Sequence, residues 1–167
     1  MDRDIRERRE SSGNVSAKAQ EEKMEVEKKD VLLQFVKDGE KVVGAFCGEP
    51  HVREVFWNGR FHEIFDPEKA AQYKVTKPAL KISLNFYVPA IKVGNPMKVI
   101  EVGPACFKDI SKCRDKYGTD KWLFEIVRHG KKGDKRTFYS VLPEEKIDDE
   151  LRAKIANTPL HDLGNLK

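Results

Sequence analysis

The sequence predicts a mainly β fold with a single helix before its last hairpin, and three observations support this. Two turn signals, Asp38-Gly39 and Asn58-Gly59, each separate runs that are rich in β-branched and aromatic residues. Residues 80–88 alternate apolar and polar side chains without a break. Pro104 and Gly118 bracket a helical pattern, and two further strand patterns follow it.

The first half of the predicted fold consists of two hairpins. Residues 31–37 and 41–47 are predicted to be paired strands around the turn at Asp38-Gly39-Glu40. Gly44 lies inside the second of these strands and predicts a bulge or a sharp bend. Residues 52–57 and 60–64 are predicted to form the second hairpin, and residues 66–79 a polar loop or short helical turn.

The segment 80–88 is predicted to be a strand with one buried face and one face in water. Strict alternation is typical of a half-buried strand, because successive side chains point to opposite faces. The buried face would hold Leu80, Ile82, Leu84, Phe86 and Val88. The solvent face would hold Lys81, Ser83, Asn85 and Tyr87.

The second half is predicted to contain a strand at 97–103, a helix at 104–117 and a hairpin of 121–129 with 136–142. Phe107 and Ile110, with Cys106 and Cys113, would face inward from the helix. Spacing of four among Ile147, Leu151 and Ile155 predicts a C-terminal amphipathic helix, which Pro159 would limit. The element order is that of an OB-fold barrel of five or more strands, although other small α+β folds share it.

Composition divides the chain into three parts: a flexible charged arm at 1–30, an OB-type domain at 31–145, and a C-terminal helix and tail at 146–167. The arm holds eight basic and nine acidic residues, so the positive surplus of the 167-residue chain lies beyond it. No apolar run is long enough to span a bilayer, and the N-terminus lacks the apolar core of a secretory signal. An odd count of three cysteines argues against a disulfide framework, so we expect an intracellular location and no membrane partner.

The last predicted hairpin carries the strongest candidate binding feature. Five cations surround Gly130 and Gly133 in its loop: Arg128, Lys131, Lys132, Lys135 and Arg136. Trp122, Phe124, Phe138 and Tyr139 lie on the flanking strands, and Tyr139 is the ring that we expect at the surface. Cations neutralise phosphates and rings stack on unpaired bases, so this combination favours single-stranded nucleic acid. The alternative is an ordinary solvated turn.

Two further patches fit the same chemistry. Lys81, Asn85 and Tyr87 form a row on the predicted solvent face of 80–88. The second patch lies around the Asn58-Gly59 turn and consists of Arg53, Trp57 and Arg60. We expect Trp57, Tyr87 and Tyr139 to act as stacking platforms. The alternative for the row on 80–88 is an ordinary wet sheet face.

Signatures of enzymes are missing from the sequence. It contains no G-x-x-x-x-G-K-[ST], no G-x-G-x-x-G and no G-x-S-x-G motif. The carboxylates at 144–145 and 148–150 lie at a predicted helix start, where they complement the helix dipole. Cys47, His51 and His62 have no C-x-x-C pair beside them that would indicate zinc. We therefore expect no catalytic residues, no metal and no cofactor, although a nucleic-acid enzyme remains a minor alternative.

Three stretches together resemble a group of viral single-stranded DNA-binding proteins and, more distantly, the helix-destabilising proteins of tailed bacteriophages. They are DGEKVVGAFCGEP (38–50), LKISLNFYV (80–88) and KYGTDKWLFEIVRHGKKGDKRTFYSVLPE (116–144), and the last is the most specific. The resemblance covers about residues 31–145. Many relatives carry a cysteine-rich zinc insertion where this chain has residues 65–79, so no metal is transferred. The acidic tail of the phage proteins is also weak here, with six acidic and four basic residues in 143–167.

The resemblance implies sequence-independent binding and protection of single-stranded DNA during replication, recombination or repair. It transfers binding roles to four residues only: Asn85, Arg128, Gly130 and Tyr139. RNA is an alternative polymer, because stacking and phosphate contacts serve both. Self-association or replication proteins bound through the tails are further expected partners. A different class of function, a protein-interaction adaptor built on a β-barrel scaffold, also remains open.

Overall fold

The computed structural model describes residues 31–118 and 120–165, so the predicted arm at 1–30 lies outside the described residues. The chain is mainly β, with six antiparallel strands and three α-helices in this part. The strands are β1 (Lys41–Trp57), β2 (His62–Ile64), β3 (Ala79–Tyr87), β4 (Met97–Val102), β5 (Trp122–His129) and β6 (Phe138–Lys146). The helices are α1 (Pro67–Ala71), α2 (Pro104–Tyr117) and α3 (Asp149–Ala156), followed by a 3-10 turn at Leu163–Asn165.

The strand β1 holds the sheet together because both of its edges are paired. Its first residues, from Lys41 to Gly44, pair with β5, and residues from Ala45 to Val55 pair with β3. The resulting order is β4-β3-β1-β5-β6, with the short β2 paired to the end of β1. In the described part of the chain the outer strands β4 and β6 are not paired with each other. The predicted closed barrel is therefore not observed, and the sheet is open.

The predicted first hairpin is wrong. Residues 31–37 form no strand, apart from a single parallel bridge between Leu32 and Val99 of β4. The turn at Asp38-Gly39 is present, with Gly39 at φ +80°, but the chain it reverses does not pair with β1. The residues that would close this hairpin bind elsewhere, because Gly39 and Glu40 exchange backbone hydrogen bonds with Arg128 and Leu33 donates to Val99 of β4. We call residues 32–36 the strap.

Gly44 has a different role from the one predicted. Residues 41–57 form one continuous strand, and its irregularity lies between Cys47 and His51 rather than at Gly44. A Cβ atom at Gly44 would lie 2.5 Å from the carbonyl oxygen of Tyr87 and 2.6 Å from the ring of Phe86. The glycine is therefore required by the close approach of β1 to β3.

The main core lies between the sheet and α2. Rings from three strands meet there, because Phe46 packs at 5.0 Å from Phe86 and 5.6 Å from Phe124, measured between ring centroids. The helix contributes Cys106 and Ile110, with Phe107 and Cys113 partly buried against the same cluster. It begins with Pro104 and ends before Gly118, at φ +86°, as predicted.

The second face of β3 is also buried, which corrects the predicted solvent face. Ser83, Asn85 and Tyr87 are each less than 9% exposed, and only Lys81 of that row retains substantial exposure. The segment after β6 covers this face. Three apolar residues in and before α3 pack in one cluster with Tyr87, Met97 and Leu123. These three are the residues predicted from their spacing of four: Ile147, Leu151 and Ile155.

Asn85 holds the chain end beyond α3 in place. Its Nδ2 donates to the backbone oxygen of His161 at 3.2 Å, and its Oδ1 accepts from the backbone nitrogen of His161 at 2.9 Å. The His161 ring lies 2.7 Å from the carbonyl oxygen of Met97. A buried amide that is satisfied in this way stabilises one arrangement of the chain, because an unpaired polar group is costly there.

The remaining elements agree with those predicted from the sequence. The Asn58-Gly59 turn joins β1 to β2, and a helical turn, α1, lies within 66–79. The last hairpin, β5 with β6, is paired over its full length with one register shift. Asp148 caps α3 by accepting from the backbone nitrogen of Leu151. Within residues 31–118 and 120–165, no helix has the length and apolar character needed to cross a membrane.

Candidate nucleic-acid interface

The loop between β5 and β6 presents four cations to solvent. We call residues 130–137 the basic loop; its exposed cations are Lys131, Lys132, Lys135 and Arg136. Asp134 is its only carboxylate, and its Oδ1 accepts from the backbone nitrogen of Arg136 at 2.9 Å, which shapes the turn. None of the four cations forms an ion pair with a residue that the structure describes. They are therefore available to neutralise an anionic ligand.

Arg128 fixes the shape of this loop and does not extend from it. Its guanidinium donates to the backbone oxygens of Gly130 at 2.9 Å, Phe35 at 3.0 Å and Lys131 at 3.3 Å. It also donates to the hydroxyl of Tyr139 at 3.2 Å. Because each of its nitrogens has a protein acceptor, Arg128 is a positioning residue that ties the strap to the basic loop.

Gly130 is required by the same turn. It has φ +132°, and a Cβ atom there would lie 2.6 Å from the Thr137 hydroxyl. Its backbone nitrogen donates to the Asp38 carboxylate at 3.0 Å. Gly130 was predicted as a binding residue, and the structure shows that it shapes the backbone next to the turn that precedes β1.

The exposed ring of this hairpin is Phe138, whereas Tyr139 is half-buried. Phe138 is 60% exposed and stacks on His129, with ring centroids 4.6 Å apart and planes at 15°. Tyr139 faces the other side of β6, where its ring meets Phe35 of the strap edge-on at 5.7 Å. The expectation that Tyr139 would be the surface ring is wrong, because the strap covers it.

A second cluster lies on β1, β2 and β3, and we call it the hairpin patch. Trp57 is 52% exposed and contacts the His62 ring edge-on at 5.1 Å. Arg53 and Lys81 are directly opposite each other on β1 and β3. Arg60 is exposed at the hairpin tip, where Asn58 caps the turn by accepting from its backbone nitrogen at 2.9 Å.

Glu101 of β4 joins the cations of the hairpin patch. Its Oε1 lies 2.5 Å from a terminal nitrogen of Arg53, and its Oε2 lies 3.8 Å from Lys81 Nζ. Burial, with Lys81 and Arg53 nearby, lowers the pKa of His62 below its usual value, so this imidazole is neutral at pH 7. The local charge is one carboxylate against two cations.

A cleft of about 410 Å³ lies between the basic loop and the hairpin patch. Phe35 and Tyr139 line it near the basic loop, whereas His62, Lys81 and Glu101 line it at the other end. The strap forms one wall and is held at both ends. Leu33 donates its backbone N–H to Val99 at 2.9 Å, and Glu40 accepts from the backbone nitrogens of Val36 at 2.7 Å and Lys37 at 3.1 Å. These two N–H groups lower the pKa of Glu40.

The structure thus sorts the predicted site residues into three sets. Of the predicted residues, Tyr139 and Lys81 line the cleft itself. Arg128, Gly130, Lys131, Lys132, Lys135 and Arg136 lie in or next to the basic loop, and Arg53, Trp57 and Arg60 lie with Lys81 in the hairpin patch. Asn85 and Tyr87 belong to neither cluster, because both are buried beneath the C-terminal segment. Sequence reasoning missed Glu101, His62 and Phe35, since their positions depend on pairing between distant strands.

Metal-binding and thiol chemistry are not prominent in this part of the chain. Among the described residues, no three side chains of His, Cys, Asp or Glu come together as a metal site. Burial raises the pKa of both Cys47 and Cys106 to about 11, which keeps these thiols protonated and unreactive.

No protein-family model, curated protein or solved structure matches this chain significantly.

Proposed function

We propose that this chain is a non-catalytic protein that binds single-stranded DNA with little dependence on sequence, protecting the strand during replication, recombination or repair. One observation carries the proposal: four exposed cations, which form no ion pair with any residue in 31–118 or 120–165, stand beside an exposed, stacked aromatic ring. Phosphates of a flexible strand meet such cations while its unpaired bases stack on rings, and each stack contributes about 1–3 kcal/mol.

The proposed path of the single-stranded DNA runs from the basic loop to the hairpin patch. Phosphates lie on the basic loop, a base stacks on Phe138, and the strand continues past the cleft to Trp57 and Arg60 in the hairpin patch. Arg128 and Gly130 maintain the loop and do not contact the ligand. The meander of β1, β3 and β4, then α2, then the β5–β6 hairpin supports an OB-type plan, in which two loops beside the open sheet face hold the ligand. The resemblance to viral single-strand-binding proteins agrees with this proposal.

The test is fluorescence anisotropy of labelled oligo(dT) over a salt series, with duplex DNA and single-stranded RNA of equal length. We expect tight binding to the single strand that weakens steeply with salt, since counterions return to the strand. Replacing Lys131, Lys132 and Lys135 together by Ala should weaken binding about tenfold or more and reduce the salt slope by about 2.

The matched control replaces three exposed lysines outside the basic loop, Lys92, Lys108 and Lys112, and so makes the same change in net charge. It should leave affinity within about twofold of the wild type. Equal losses in both triple variants would contradict a role for the basic loop. Preference for RNA in the same series would reassign the polymer but keep the site.

A protein-interaction adaptor is the second candidate, and the exposed apolar side chains of the β1–β2 hairpin favour it. Trp57, Phe61 and Ile64 are each more than half exposed within a short span. Exposed apolar groups that lie close together are typical of protein-docking surfaces. This function predicts no binding to any oligonucleotide at low salt.

A further inference from the structure

The cleft beneath the strap has the composition of a pocket for one small polar ring. Its walls are largely apolar, formed by residues such as Leu33, Leu80 and Val102, and its charged groups, Lys81 and Glu101, lie together at one end with His62. At about 410 Å³ it lies at the lower end of ligand pockets, which measure about 300–1,000 Å³. A flat ring with hydrogen-bonding groups on one edge fits apolar walls that meet a polar end.

The polar end offers one acceptor and one donor side by side. Glu101 is an acceptor only, with about four lone-pair sites on its two oxygens. Arg53 occupies one oxygen at 2.5 Å, whereas Lys81 is 3.8 Å from the other, beyond hydrogen-bonding distance. Oε2 of Glu101 is thus able to accept from a ligand, and Lys81 Nζ is able to donate to the same ligand.

We propose that this cleft holds one nucleobase whose Watson–Crick edge has an exocyclic amino group beside an unprotonated ring nitrogen, cytosine or adenine. Glu101 accepts from the amino group, and Lys81 donates to the adjacent ring nitrogen. Carboxylates are the side chains that pair with the cytosine amino group, whereas uracil and thymine present a carbonyl at that place. This inference rests on the proposed function and adds a preference at one position of the bound strand.

The experiment compares oligo(dC) with oligo(dU) of equal length at pH 7.5, because these bases have the same size and differ at the amino group. The readout is the ratio of the two dissociation constants. In the wild type we expect oligo(dC) to bind about tenfold more tightly. In Glu101→Gln the ratio should approach one, even if freeing Arg53 and Lys81 raises the affinity for both strands.

Two further variants make the result specific. Glu54→Gln makes the same change in net charge as Glu101→Gln. Glu54 follows Arg53 in β1, so its side chain faces the opposite side of the strand, and this variant should keep the wild-type ratio. Lys81→Met retains length but removes the donor, and it should also lower the ratio, which provides a test if Glu101→Gln does not fold. Circular dichroism and thermal melting establish that each variant is folded.

The outcomes separate the two proposals. If the wild type binds both strands but shows a ratio near one, or if Glu101→Gln and Lys81→Met both keep the wild-type ratio, the base pocket is wrong and single-strand binding stands. If the wild type binds neither strand at low salt, the proposed function itself is wrong.

Discussion

Among the described glycines, Gly44 has the shortest clearance for an added Cβ atom. A methyl group there would meet a backbone oxygen of β3 at 2.5 Å, and backbone cannot move aside as a flexible side chain can. We expect Gly44→Ala to lower the free energy of unfolding by about 3 kcal/mol, as overpacked positions do. Urea denaturation followed by tryptophan fluorescence measures this change.

Gly103 provides the matched control for that substitution. It has a negative φ of −83°, and a Cβ atom there would meet no heavy atom within 4 Å. Gly103→Ala should therefore cost about 1 kcal/mol or less, which is the cost of a poorer helix cap. Similar losses at both glycines would show that steric contact is not the cause at Gly44.

Residue-level roles at the site were only partly predictable. The cations of the basic loop could be identified because Lys and Arg flanked by glycines project from a hairpin turn wherever the strands lie. Alternation indicated that Phe138 and Tyr139 face opposite sides, but not which side the strap would cover. Glu101 acquires its role through cross-strand neighbours on β1 and β3, and that register is not encoded in any short stretch of sequence.

At the scale of elements, the attachment of the C-terminal segment to β3 depends on Asn85. Asn85→Ala removes both hydrogen bonds to the His161 backbone, and we expect a loss of about 1–3 kcal/mol in stability. Hydrogen exchange followed by mass spectrometry should show faster exchange in residues 157–165. Asn157→Ala, at an exposed side chain of the same segment, is the control and should leave that exchange unchanged.

The same attachment explains where element prediction failed. Alternation located β3 correctly, but it cannot tell whether the polar face meets water or a second layer. The spacing of Ile147, Leu151 and Ile155 also predicted α3 correctly, but it did not indicate the surface against which this helix packs. Predicting that the segment around α3 covers β3 requires knowing that residues 76 positions apart in sequence are in contact, as Asn85 and His161 are. The prediction for the strap was wrong for a related reason: its apolar residues suit a strand, but Leu33 binds Val99, which lies 66 positions later in the sequence.

For the whole molecule, the buried thiols report on global unfolding. With pKa values raised to about 11, only about one in a thousand of the Cys47 and Cys106 thiols is ionised at pH 8. We expect iodoacetamide to alkylate both residues at least about 100-fold more slowly in the native protein than in urea, and the half-buried Cys113 faster than either. Pulsed labelling with mass spectrometry measures the three rates, and native rates equal to those in urea would contradict the buried placement.

These thiols also set a direction for stability against pH. Their pKa values are higher in the folded than in the unfolded chain, so the folded state retains protons that the unfolded state loses. Their contribution is therefore fully present below the unfolded pKa of about 8.5 and is lost as pH rises toward 11.

The mainly β character and the order of elements were predictable for the whole molecule, because turn residues and alternation are local signals. The open sheet was not predictable. Closure depends on whether β4 and β6, separated by α2 and β5, come within hydrogen-bonding distance, and the strap instead spans from Val99 to Arg128.

The strap is synthesised before every strand that it contacts. Leu33 donates its backbone N–H to Val99, and the carbonyl of Phe35 accepts from Arg128, which follows 93 positions later. Neither hydrogen bond forms before its partner has been translated. While the chain is still leaving the ribosome, these apolar residues have no surface on which to pack. The carboxylate of Asp38 likewise lacks its donor, the backbone N–H of Gly130. The strap is translated first among the described residues, but it cannot reach its native position until β4 and β5 have been translated.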